Sequence, residues 1–176
     1  MEGSPFSGES PASPGRRRID GRRNAGFTLL EMMIVVVIIA ILAAFAISAY
    51  SGYAVRTNRS AAEACLSEYS NYMERYYTTN LRYDEVPASG STAAVSNPVT
   101  TTPPKLTLDC AGSSQTGLTY GYTVPAVSAT AYTVKATPIG VQLTRDKQCG
   151  SLTLDQAGNR NIGTGATGTA AQCWGG

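Results

Sequence analysis

Gly26-Phe27-Thr28-Leu29-Leu30-Glu31 opens an apolar run that continues to Tyr50. From Met32 to Ile47 sixteen consecutive residues are apolar, and between Phe27 and Tyr50 only Thr28, Glu31 and Ser48 interrupt. These 24 residues suffice for one helix to cross a hydrocarbon core, which takes about 20 residues at ~1.5 Å each. Five arginines (Arg16, Arg17, Arg18, Arg22, Arg23) precede the run, while the flank after it carries Arg56 and Arg59. That asymmetry places the N-terminus in the cytoplasm and the bulk of the chain outside. Glu31 is the anomaly. A charged side chain near the centre of a membrane helix costs roughly 2.5–3.5 kcal/mol, and less near an end, so this carboxylate calls for a partner. Cleavage after Gly26 would create a cationic amine on Phe27, and in an array of such helices Glu31 of one copy could meet Phe27 of the next.

Two simpler readings explain less. A secretory signal ending in Ala44-Phe45-Ala46 has an apolar run longer than the usual 7–15 residues, and Glu31 would then be gratuitous. An uncut single-pass anchor keeps the orientation but leaves the Gly26/Glu31 pairing as coincidence. The stretch resembles the class III (prepilin) signal of type IV pilins and pseudopilins. The resemblance implies cleavage after Gly26 by prepilin peptidase, N-methylation of Phe27, and a role for Glu31 in ordering subunits within a helical filament. It also implies a pilin held in the inner membrane before assembly and carried on the pilus or cell surface afterwards.

The expected division is a leader over 1–26, a membrane and filament-core helix over 27–50, and a globular head over 51–176. The head is long enough for one core. Residues 1–15 include ten Ser, Pro or Gly and are expected to be disordered. The leader function needs only the basic stretch and Gly26, so the reading admits an initiator downstream of Met1. The formal charge of +2 resides in the leader, leaving nine basic and nine acidic side chains after Gly26. Bulk charge therefore gives no support for nucleic-acid binding. The chain has no histidine, which removes the commonest general base and zinc ligand. No nucleophile–base pair, metal cluster or C-x-x-C is present, so neither enzyme, metal nor cofactor is expected. Four cysteines in the exported part read as two disulfides, with three pairings open.

Ala62, Cys65, Leu66, Tyr69, Tyr72, Met73 and Tyr76 recur at helical spacing, so the helix is predicted to continue to about Thr78, with Gly52 inside it. Arg56, Arg59, Glu63, Ser67, Glu68, Asn71 and Glu74 fall mostly elsewhere. Many pilins carry Gly where this chain has Ala40 and Pro where it has Ser48, so a more continuous spine is expected. Residues 81–117, punctuated by Pro87, Pro98, Pro103 and Pro104, read as a loop with a short strand at Leu106–Leu108. Strands are predicted over Thr119–Val124, Ala131–Thr137 and Ser151–Asp155, with Pro125–Thr130 as a hairpin loop and a turn at 155–160. The expected fold is α+β, a long helical spine packed on an antiparallel sheet, with a disulfide-bounded C-terminal region.

From residue 22 onward the chain is similar to type IV pilins. The segments Tyr132–Pro138 and Thr144–Gly158, with Trp174 after the last cysteine, most resemble PilE-type minor pilins. This resemblance implies Cys149–Cys173 as the C-terminal bridge, leaving Cys65 with Cys110. Its partners would be other pilins, major and minor, and prepilin peptidase. The leading reading is a structural minor pilin that primes or decorates the fibre. The same subgroup is similar to ComP, a minor pilin that binds DNA for uptake. Arg145 and Lys147, with Lys135, are the candidate DNA contacts, although solvated surface charge is the simpler account of them. A type II secretion pseudopilin is the third reading, disfavoured because pseudopilins generally lack the C-terminal disulfide region. Glu31→Ala is expected to insert and be cleaved but to incorporate poorly. Normal amounts in immunoblots of sheared pili would remove the basis for pairing Glu31 with Phe27.

Overall fold

A computed structural model describes residues 27–175, without the side chains of Ser48 and Ala49. Gly26, the leader and its arginines lie outside the described residues. The described chain divides into two units between Leu42 and Ala43.

In the first unit the helix α1 (Leu29–Asn80) begins. The Thr28 hydroxyl accepts the Glu31 amide at 3.2 Å, satisfying one of the first-turn N–H groups that have no intrahelical acceptor. The large apolar side chains from Leu29 to Leu42 are all exposed. A helix apolar on every side is stable when lipid or other helices cover it. Glu31 lies in the first turn, and among the described residues it joins no ion pair.

In the second unit α1 carries the buried stripe Ala62, Cys65, Leu66, Tyr69 and Met73, with Tyr72 and Tyr76 half-buried beside it. It stops where Leu81 turns left-handed (φ 56) and donates its N–H to Tyr77 O at 2.7 Å, closing the last turn. A two-stranded ribbon follows, β1 (Glu85–Val86) against β2 (Val95–Ser96). Then come β3 (Tyr120–Val127), β4 (Tyr132–Pro138), a short helix α2 (Gly140–Arg145), β5 (Leu152–Asp155), β6 (Arg160–Ile162) and α3 (Ala170–Cys173). Strands β3 to β6 form one antiparallel meander in chain order. Alternation along β4 buries Tyr132, Val134 and Ala136, and these join the α1 stripe, Tyr120 and Leu152 in one core. This is the α+β pilin architecture.

The structure corrects the sequence reading at several points. Leu106–Leu108 forms no strand. The Lys105 and Leu106 amides both turn back to Pro98 O, and the segment enters a 3-10 turn at Asp109–Ala111. Leu108 still packs on the core, but Pro103 and Pro104 cannot donate to a ladder. The 81–117 segment also contains the β1–β2 ribbon. Strand β3 runs through Pro125, because the pairing slips between Thr123 and Ala126 and a proline fits such an irregularity. The hairpin loop shrinks to a tight turn in which Ser128 N–H donates to Ala131 O at 2.8 Å. Strand β6 and helices α2 and α3 are additions to the elements expected from the sequence.

Two disulfides, Cys65–Cys110 and Cys149–Cys173, join α1 to the 3-10 turn and α3 to the segment before β5. On a chain-entropy basis a closure the length of the second contributes roughly 3 kcal/mol. The tail is further held by Trp174, whose indole N–H donates to Asn161 O at 3.0 Å, and by a capping box between Thr169 and Gln172.

Between helix and sheet lies a tyrosine cluster. Tyr83 meets Tyr132 edge-on with ring centroids 4.8 Å apart, and both hydroxyls donate to Glu74 Oε1 at 3.0 and 3.1 Å. Tyr69 stacks on Tyr122. Burial pushes the hydroxyls of Tyr83, Tyr122 and Tyr132 up to about 12, and the Glu74 carboxylate adds to this for Tyr83 and Tyr132. The native state thus keeps protons that the unfolded chain releases from its ordinary value of 10.0, so stability is complete below that pH and declines as pH rises toward about 12. The thermal midpoint of the disulfide-intact chain should therefore be flat to near pH 10 and fall across this interval. A flat midpoint to pH 12 would contradict the burial argument.

Candidate functional site

Strand β4 ends at Pro138, and Gly140 adopts φ 55, a left-handed turn that glycine takes without a Cβ penalty. This turn starts α2, which points Gln142 inward while Val141 and Leu143 stay exposed. The two N–H groups of the Gln142 side-chain amide are shared among Val55 O, Tyr120 Oη and Asp146 Oδ2, each at 3.1 Å. Asn58 donates to Gln142 Oε1 at 3.3 Å. Asp146, 2% exposed, receives Arg59, 7% exposed, in a two-pronged ion pair. Nε reaches Oδ2 at 3.0 Å and Nη2 reaches Oδ1 at 2.8 Å. Tyr120 Oη donates to Asp146 Oδ2 at 3.2 Å, and burial, reinforced by the Asp146 charge, raises its ionisation above the usual tyrosine range. Side chains from α1, β3 and α2 thus saturate one buried carboxylate. Removing one partner of such a pair costs about 3–5 kcal/mol.

This pair sorts the charges of Arg145-Asp146-Lys147. Asp146 turns inward to Arg59, while Arg145 and Lys147 are exposed. Arg145 lines a groove with Arg56, Arg59 and Gln148. Lys135 sits elsewhere, opposite Thr123 and Thr153 on the sheet face turned away from the core, and it does not line the groove. The three candidate DNA contacts therefore do not share this groove. Other charges are also engaged locally. The Arg160 guanidinium lies 5.3 Å from the Trp174 ring centre, and Asp155 accepts N–H groups of Ala157 and Asn159 within its turn. The sequence reading missed Arg59, Tyr120, Gln142 and Asp146 as one unit. A signal was present, since Arg59 stands three residues before Ala62, in phase with the apolar stripe. Among the described residues no group of three or more Cys, Asp or Glu converges as a metal site.

Residues 48–153 match the family described as type IV minor pilin ComP, DNA uptake sequence receptor. The chain is a type IV minor pilin of this family. Residues 21–47 match the prokaryotic N-terminal methylation motif. No curated protein matches the chain. The type II secretion reading falls away with the family match. The minor pilin is anchored in the inner membrane before assembly into a surface pilus, so its partners include other pilins and the prepilin peptidase. The family description names a pilin and a receptor, and no reaction. The match takes in β3, β4, α2 and both members of the Arg59–Asp146 pair.

Proposed function

We propose that this minor pilin binds double-stranded DNA from the surface of a type IV pilus, with Arg145 and Lys147 as phosphate contacts. The observation that carries the reading is the match of residues 48–153 to a family described as DNA uptake sequence receptors. The exposed pair Arg145 and Lys147 supports it, because Arg59 neutralises the acid between them. Lys135 on the outer sheet face would add long-range attraction. Bulk neutrality after Gly26 is no obstacle, since phosphate binding depends on cations gathered on one face.

The leader over 1–26 would be removed after Gly26 and the Phe27 amine methylated. The segment 27–50 would lie first in the membrane and then in the fibre core, presenting the head over 51–176. Glu31, without an ion-pair partner among the described residues, would pair with the Phe27 amine of a neighbouring subunit. A purely structural minor pilin would share these steps and lack only the DNA contacts.

The test is titration of the disulfide-intact full chain in detergent with duplex DNA across a salt series. Binding should weaken steeply with salt, and Arg145→Ala/Lys147→Ala should reduce the slope by roughly two if each residue contacts one phosphate. No binding at low salt, or binding indifferent to the double substitution, would return the chain to the structural reading.

A further inference from the structure

Arg56 is left without a task by the fold and by the DNA reading. It follows the apolar run by six residues, on the exported flank where the topology rule does not favour positive charge. Among the described residues it joins no ion pair, and it is exposed. It lines a groove of about 410 Å3 with Gly52, Arg59, Arg145, Asp146 and Gln148. Three guanidinium groups face one carboxylate there. That carboxylate is already gripped by Arg59, so Arg56 and Arg145 leave the groove positive. Gly52 is part of its lining, and a Cβ at that position would meet nothing within 4 Å. Glycine inside a helix is unfavourable, and no packing in this chain requires it. Its effect is to leave open space beside Arg56.

Arg56 lies about 9 Å along the helix beyond Tyr50, and the headgroup layer on each side of a hydrocarbon core is roughly 5–8 Å thick. A long arginine side chain bends toward that layer. Guanidinium groups match phosphate oxygens through paired hydrogen bonds.

We propose that this groove seats the phosphodiester of an anionic phospholipid in the outer leaflet of the inner membrane while the minor pilin is held there. The lipid would orient the head before assembly, and entry into the fibre would require its release. The proposal rests on membrane anchoring and is independent of DNA binding. Arg56 separates the two, because it lines the groove but has no part in the DNA contacts.

The test uses the full chain, solubilised with an equimolar mixture of phosphatidylglycerol and phosphatidylcholine and examined by native mass spectrometry after detergent exchange. Phosphatidylglycerol should be retained in preference, and Arg56→Gln/Arg145→Gln should lower its retained fraction about tenfold. Lys135→Gln, which alters charge away from the groove, should leave retention unchanged. Circular dichroism of the double variant should match the parent, since both side chains are exposed. Equal retention of the two lipids, or phosphatidylglycerol retention that survives the double substitution, would overturn the proposal. So would Arg56-dependent binding of inorganic phosphate or duplex DNA without selective retention of phosphatidylglycerol. Arg56→Gln alone should lower lipid retention and leave the salt slope of DNA binding unchanged, and the reverse pattern would also overturn it.

Discussion

The ion pair between Arg59 and Asp146 is the constraint from which the charged surface of the head follows. Both side chains are almost wholly buried, where an unpaired charge is prohibitively costly. Their two-pronged geometry, with Tyr120 and Gln142 hydrogen-bonded to the same carboxylate oxygen, offsets that cost. Such pairs contribute little net stability compared with well-packed apolar residues. What this one contributes is placement, since it ties α2 and the following turn to one point on α1. Arg145 and Lys147 are thereby turned outward from either side of the same carboxylate.

Around this point the core is simple. A helical stripe from Ala62 to Met73 meets the inward face of a four-stranded meander, and tyrosines fill the space between. The Tyr83 and Tyr132 hydroxyls reach Glu74 and Ser70 and that of Tyr122 reaches Thr116, while the buried Tyr76 hydroxyl has no hydrogen-bond partner among the described residues. The two disulfides act where apolar content is thinnest. One ties the loop after the ribbon back to α1, and the other retains a tail rich in Gly, Thr and Ala.

Much of this was legible in residue patterns. The stripe, the alternation along β4 and the apolar run each carry a strong period, and the architecture follows from matching their faces. Short elements were not legible. Strand β6 has three residues and exists because β5 offers it a paired edge, and α2 is one and a half turns set by the Gly140 turn. Leu106–Leu108 alternates like a strand, but the Lys105 and Leu106 amides turn back to Pro98 O instead of joining a ladder. Asp146 is one of the nine acidic side chains after Gly26, and such linear counting treats every charge as facing solvent. Arg59 was assigned to the polar side of α1, although its spacing put it at the head of the stripe. A charge in phase with an apolar stripe is the pattern of a buried ion pair, and only the partner's location was missing from the sequence.

Placement and charge make opposite demands at Asp146. Asp146→Asn deletes a negative charge between Arg145 and Lys147, so charge counting alone expects tighter DNA binding. Loss of the Arg59 anchor releases the turn that carries both cations, which weakens binding. The most direct measurement is the DNA affinity of the full chain bearing Asp146→Asn at low salt, under conditions where circular dichroism shows the head still folded. Weaker binding than the parent is the predicted result, and equal or tighter binding would contradict it.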